Sequence, residues 1–149
     1  IISLLKKHSE KSITVAFCHG DLHQGNIIYD GKESWILDWE NSGEKQICYD
    51  LFILLIESRI QNNYANRFIK LLKNQFTNTQ KNILNSWPET QWEEKEEKEM
   101  NMLIFLLEEL DFYIDECSNK LFLSVGKSSI IGRIDEFKKI IKYFPLTIY

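Results

Sequence analysis

The chain has 149 residues, 44% of them hydrophobic, which is enough for one domain with a packed core and too apolar for a disordered segment. A net charge of −4 and a pI of about 5.4 argue against a nucleic-acid binder, which would carry a basic face, and are compatible with a cationic small substrate. Cys18, Cys48 and Cys117 are scattered and form no Cys-x-x-Cys pair, which argues against a zinc ribbon or a thioredoxin-type site and fits a reduced, cytoplasmic setting.

Ile1 to His8 has no basic stretch ahead of its apolar residues and no small-residue cleavage site after them. It reads as the end of an amphipathic helix, so the chain is expected to begin inside a larger protein. Thr14 to Cys18 is a short β-prone run leading into His19 and Gly20. Residues 26–29 read as a strand, Asp30-Gly31 as a turn favouring positive φ, and residues 34–39 as the returning strand. After about residue 48 the period changes from two to 3.6. Residues 49–61 are apolar nearly all round, the pattern of a buried helix, and Leu51 to Ile56 is too short to span a bilayer. Tyr64, Phe68, Leu72 and Phe76 repeat at helical spacing. Pro88 and the capping-box pattern Thr90-Gln91-Trp92-Glu93 predict a helix start. That helix has an apolar stripe of Met100, Leu103, Leu107, Leu110 and Ile114, and its opening charge run, Glu93 to Glu99, reads as a solvated face. A last helix is expected to turn Ile134, Phe137, Ile141 and Phe144 inward and Lys138, Lys139 and Lys142 outward. Trp35, Trp39, Trp87 and Trp92 read as packing residues. The expected fold class is α+β, mostly α: a small β-hairpin followed by a helical bundle.

The segment that carries chemistry is His19-Gly20-Asp21-Leu22-His23-Gln24-Gly25-Asn26, followed by Asp38-Trp39-Glu40 and then Tyr49-Asp50-Leu51. In this order, with a hairpin between the first two, these pieces resemble the catalytic core of the aminoglycoside phosphotransferase and choline kinase family, and they share the His-x-Asp-x-x-x-x-Asn spacing of protein kinases. The alternation His19, Asp21, His23 could also mimic a metallohydrolase ligand set, but that reading leaves Gly20, Asn26 and Asp38-Trp39 unexplained. The residue types suit phosphoryl transfer, which depends on positioning and charge neutralisation. Magnesium takes oxygen ligands, and Asn26 offers an amide oxygen and Asp38 a carboxylate.

The resemblance implies a protein-kinase-like C-terminal lobe over residues 1–149, with the catalytic loop and metal-binding hairpin in 14–50 and a helical subdomain in 51–149. It implies Asp21 as the base or orienting carboxylate, His23 beside the transferred phosphate, Asn26 and Asp38 as metal ligands, and His19 and Asp50 as supports of the loop. It implies Mg2+ and ATP or GTP as cofactors, and a small-molecule hydroxyl (aminoglycoside, choline or similar) as acceptor. No nucleic-acid or membrane partner is expected. A glycine-rich nucleotide loop does not precede residue 19, so an N-terminal nucleotide-binding lobe is expected to be missing and the 149 residues alone to be inactive. The competing expectation is a non-catalytic, spore-coat-like protein of kinase fold. Glu108, Glu109, Asp111, Asp115 and Glu116 are read as surface charge, with some able to meet a cationic acceptor.

Overall fold

The structure is a computed structural model that describes residues 12–60, 62–86, 95–119 and 126–144, together with Lys6 and Glu10. Its β part is two small antiparallel sheets. Strand β1 (Val15–Cys18) pairs with β4 (Gly43–Gln46), with Val15 opposite Gln46 and Cys18 opposite Gly43. Strand β2 (Ile27–Tyr29) pairs with β3 (Ser34–Ile36), with Ile27 opposite Ile36. The second pair is the hairpin expected from the sequence. At its turn Asp30 Oδ1 accepts the amides of Lys32 and Glu33 at 2.8 Å each, and Gly31 takes φ +96°. The returning strand stops at Ile36 and not at 39, because Asp38 is left-handed (φ 64°) and Trp39–Asn41 forms a 3-10 turn. β4 was not expected: Glu44 and Lys45 break any apolar alternation, and the strand is held by main-chain pairing to β1.

Among the described residues five helices follow: α1 (Tyr49–Ile56), α2 (Tyr64–Leu72), α3 (Asn78–Asn85), α4 (Lys95–Asn119) and α5 (Gly126–Ile141). α1 is buried nearly all round, as its composition requires. It ends five residues earlier than 61 because Glu57 turns left-handed (φ 52°) and returns its amide to the Ile53 and Leu54 carbonyls. The connection from α1 to α2 is tied by one side chain. Arg67 donates to the carbonyls of Ile56 at 2.6 Å, Glu57 at 3.1 Å and Ile60 at 2.6 Å, and also to that of Asn62. α3 was not expected either. Its start is a reciprocal cap in which Thr77 Oγ1 accepts the Gln80 amide and Gln80 Oε1 accepts the Thr77 amide. The capping pattern at Thr90–Glu93 lies outside the described residues.

Phe105 of α4 is the centre of the core, with the rings of Tyr49 and Phe52 at 5.3 and 5.2 Å and that of Phe68 at 6.5 Å. Because Phe105 meets α1, the inward face of α4 is Met102, Leu103, Phe105, Leu106 and Glu109. The expected stripe is only partly right: Met100 and Leu103 are buried, Leu107 and Leu110 half-buried, and Ile114 is 53% exposed. On α5, Phe137 and Ile140 face inward, as does Phe144 just past its end, and the lysines face outward, but Ile134 is 41% exposed. The neighbouring Arg133 is buried instead, its guanidinium 4.3 Å from the Tyr64 ring and 4.6 Å from that of Tyr113, donating to the Ser58 carbonyl at 2.7 Å. Trp35 does not pack inward: it lies on the exposed hairpin with Ile27, Ile28, Tyr29, Ile36 and Leu37, while Phe17 of β1 is 70% exposed. Among the described residues, no helix is long and apolar enough to cross a membrane.

Candidate active site

The loop between β1 and β2 is shaped by main-chain amides seeking acceptors. Asp50, in the first turn of α1, accepts the His19 amide through Oδ2 at 2.6 Å and the Gly20 amide through Oδ1 at 3.0 Å. This fastens the loop to the buried helix. Gly20 sits at φ +83°, and a Cβ built there would lie 2.1 Å from the Asn41 carbonyl oxygen, so any side chain would collide with the 3-10 turn after Asp38. His19 is buried and holds two more pieces. Its Nε2 contacts the Leu37 carbonyl at 2.7 Å and its Nδ1 accepts the Asp21 amide at 3.2 Å. The tautomer satisfying both carries its proton on Nε2. The Trp39 ring covers the imidazole at 4.7 Å.

This framework brings Asp21 and Asn26 together. Asn26 is buried, and its Nδ2 donates to the Asp21 carbonyl at 3.0 Å and reaches Asp21 Oδ2 at 3.5 Å. That leaves the Asn26 amide oxygen as the group available to a cation. The Leu37 amide donates to the Asn26 carbonyl at 2.9 Å, which extends the hairpin ladder by one pair and sets Asp38 immediately beyond it. Asp38 is exposed, and its carboxylate makes no capping bond to the turn that follows. His23 Nε2 stands 3.6 Å from Asp21 Oδ2, while its Nδ1 accepts the Gly25 amide at 3.0 Å.

Both nitrogens of His19 are engaged by the main chain, so the alternation His19, Asp21, His23 does not form a ligand set. Among the described residues no three His, Cys, Asp or Glu side chains gather as metal ligands. An amide oxygen and an exposed carboxylate, as Asn26 and Asp38 offer, are ligand types that hard cations take. Burial pushes the Cys18 and Cys48 thiols up to about 11, so both are inert at neutral pH.

The sequence reading missed the other half of the site. Arg59, just past α1, donates through Nε to Asp21 Oδ1, through Nη2 to the Gly20 carbonyl at 3.2 Å, and through Nη1 to both carboxylate oxygens of Glu109 at 3.0 Å. Glu109 is not surface charge: it is 0% exposed, and it also accepts the Tyr49 hydroxyl at 2.7 Å. Burial works against the Arg59 charge, but the Glu109 carboxylate, together with Tyr113, Asp21 and Tyr49, more than offsets it and keeps the guanidinium protonated. The Phe112 ring lies 4.6 Å from that guanidinium. The available signal was a pair of acids, Glu108-Glu109, inside the apolar run Leu106 to Leu110. A glutamate at a core-facing position needs a buried cation.

The family model for choline/ethanolamine kinase matches residues 1–125. The chain belongs to that family, a family of small-molecule kinases, consistent with the resemblance read from its motifs. No curated protein and no solved structure matches the chain.

Proposed function

We propose that this chain carries the phosphoryl-transfer centre of a protein-kinase-like small-molecule kinase, moving the γ-phosphoryl group of ATP (or GTP) to a hydroxyl of a choline-, ethanolamine- or aminoglycoside-like acceptor. The observation that carries this reading is the joining of Asp21 to Asn26 at the hairpin end from which Asp38 extends. Asp21 accepts the hydrogen bond of the acceptor hydroxyl and aims its oxygen in line with the phosphoryl group; a loose transition state does not require a strong base. Asn26 and Asp38 hold magnesium, which when bound neutralises phosphate charge. His23, on the Oδ2 side of Asp21, faces the transferred group. His19 and Asp50 keep the loop in register with α1. A nucleotide-clamping lobe completes the site in this reading.

The test is a phosphotransfer assay with a panel of amino-alcohol, aminoglycoside and sugar acceptors, run on the full-length protein and on the 149 residues side by side. Asp21→Asn should lower kcat by roughly 10²- to 10⁴-fold. Asp38→Ala should abolish the rise in Tm that Mg-ATP gives the full-length protein. Full-length protein that transfers phosphate to no acceptor and gains no Tm from Mg-ATP would instead support the non-catalytic, structural alternative.

A further inference from the structure

Resting on that functional reading, the geometry points to Arg59 as the positioning residue that divides the labour of the Asp21 carboxylate, with Glu109 and Tyr49 as its buried anchor. Asp21 has two oxygens in different surroundings. Oδ1 is taken by Arg59 Nε. Oδ2 faces Asn26 Nδ2 at 3.5 Å and His23 Nε2 at 3.6 Å. With Oδ1 held, the carboxylate cannot rotate about its last bond, and Oδ2 alone is presented to an acceptor hydroxyl. A freely spinning carboxylate would offer that geometry only part of the time, and misplacement by about 1 Å costs roughly 10²-fold in rate.

Arg59 is itself fixed on three sides. Glu109 grips Nη1 with both oxygens, the Gly20 carbonyl takes Nη2, and the Phe112 ring lies against the guanidinium. Tyr49 donates to Glu109 from α1, so the anchor joins the helix carrying Asp50 to the helix carrying Glu109. A lysine cannot reproduce this, because one ammonium cannot serve Asp21, Gly20 and Glu109 in the planar fork that guanidinium provides. The same arrangement settles what Glu109 is for: its oxygens are committed to Arg59 and Tyr49, so it is an anchor for the site and not a contact for a cationic acceptor.

The experiment measures kcat and KM on the full-length protein, with an acceptor that the wild type phosphorylates. Arg59→Ala is expected to lower kcat about 10²-fold while the acceptor KM stays within about threefold. Arg59→Lys should recover only part of the loss. Millimolar guanidinium, filling the vacated place, should restore much of the lost kcat of Arg59→Ala with only the small rise in Tm that weak binding to the folded state brings, a gain in turnover that a merely structural arginine does not give. Because removing Arg59 leaves Glu109 buried without its cation, the double variant Arg59→Met with Glu109→Gln is measured in parallel. It leaves no lone buried charge, and it should fold and still show the kcat loss. Wild-type kcat in the folded double variant, or full activity in Arg59→Lys, overturns the inference and leaves the kinase reading standing. A wild type without phosphotransfer to any acceptor overturns both.

Discussion

Two residues show how little latitude the loop has. Gly20 combines a left-handed backbone with a carbonyl pressed against the space where a Cβ would go. Gly20→Ala is therefore expected to cost about 1–3 kcal/mol, combining positive-φ strain with displacement of the Asn41 turn, and to lower activity further by moving Asp21. Urea unfolding of the variant checks the first effect; an unchanged midpoint would contradict the close approach of the Asn41 carbonyl. Glu108 offers a pH-dependent test. Its carboxyl is raised above its usual 4.5, first by burial and also by Glu109 alongside, and against the lowering effects of the Gln46 amide it accepts at 3.0 Å and of Lys45. A raised folded-state value means that the fold prefers the protonated group. Its stabilising contribution is complete below the unfolded value and is lost as pH rises through the folded one. Glu108→Gln keeps an acceptor for the Gln46 amide and does not ionise. The Tm advantage of the variant should grow between pH 4 and pH 8, and a difference independent of pH would count against it.

At the scale of elements, α1 is both core and scaffold. Its buried face packs on Phe105, and Asp50 in its first turn supplies both acceptors for the amides that open the loop. Asp50→Ala should cost about 2–3 kcal/mol, since two charge-assisted bonds go at once, and should reduce kcat although Asp50 does not face the acceptor. Chemical denaturation and turnover measured on the same preparation separate the two effects. The hairpin, α1 and the pairing of Asp21 with Asn26 were legible because they rest on local rules: turn chemistry, unbroken apolarity, and motif spacing. β4 and α3 were not. A strand reading Gly-Glu-Lys-Gln has no pattern of its own and exists because β1 offers it a ladder, and α3 buries no residue that would announce it. Ile134 and Ile114 were misplaced for the opposite reason. A helical stripe fixes a period but not which side of it meets a neighbour, and Arg133 and Glu109 took the inward positions through partners distant in sequence. Arg59 could not be paired with Asp21 from sequence, because 38 residues separate them.

For the molecule as a whole, the hydrophobic weight lies in the helices, and the candidate site lies in the loop and hairpin that follow β1, tied to the helices through Asp50 and Arg59. Phe105 connects α1, α2 and its own helix through ring contacts. Phe105→Ala should therefore destabilise the whole chain by about 3–5 kcal/mol, and not one element of it. Circular dichroism and intrinsic fluorescence should report a single shifted transition; two separated transitions would show that the β part and the helices unfold independently.

Arg67 never approaches the chemistry, yet its guanidinium gathers carbonyls on both sides of the short passage in which Arg59 lies. In the proposed reaction, the aim of the Asp21 carboxylate thus depends, two steps removed, on a knot of peptide oxygens at the edge of the protein. A change at that rim would be felt as a fault of turnover before it was noticed as a fault of folding, and a survey confined to the cleft would not find its source.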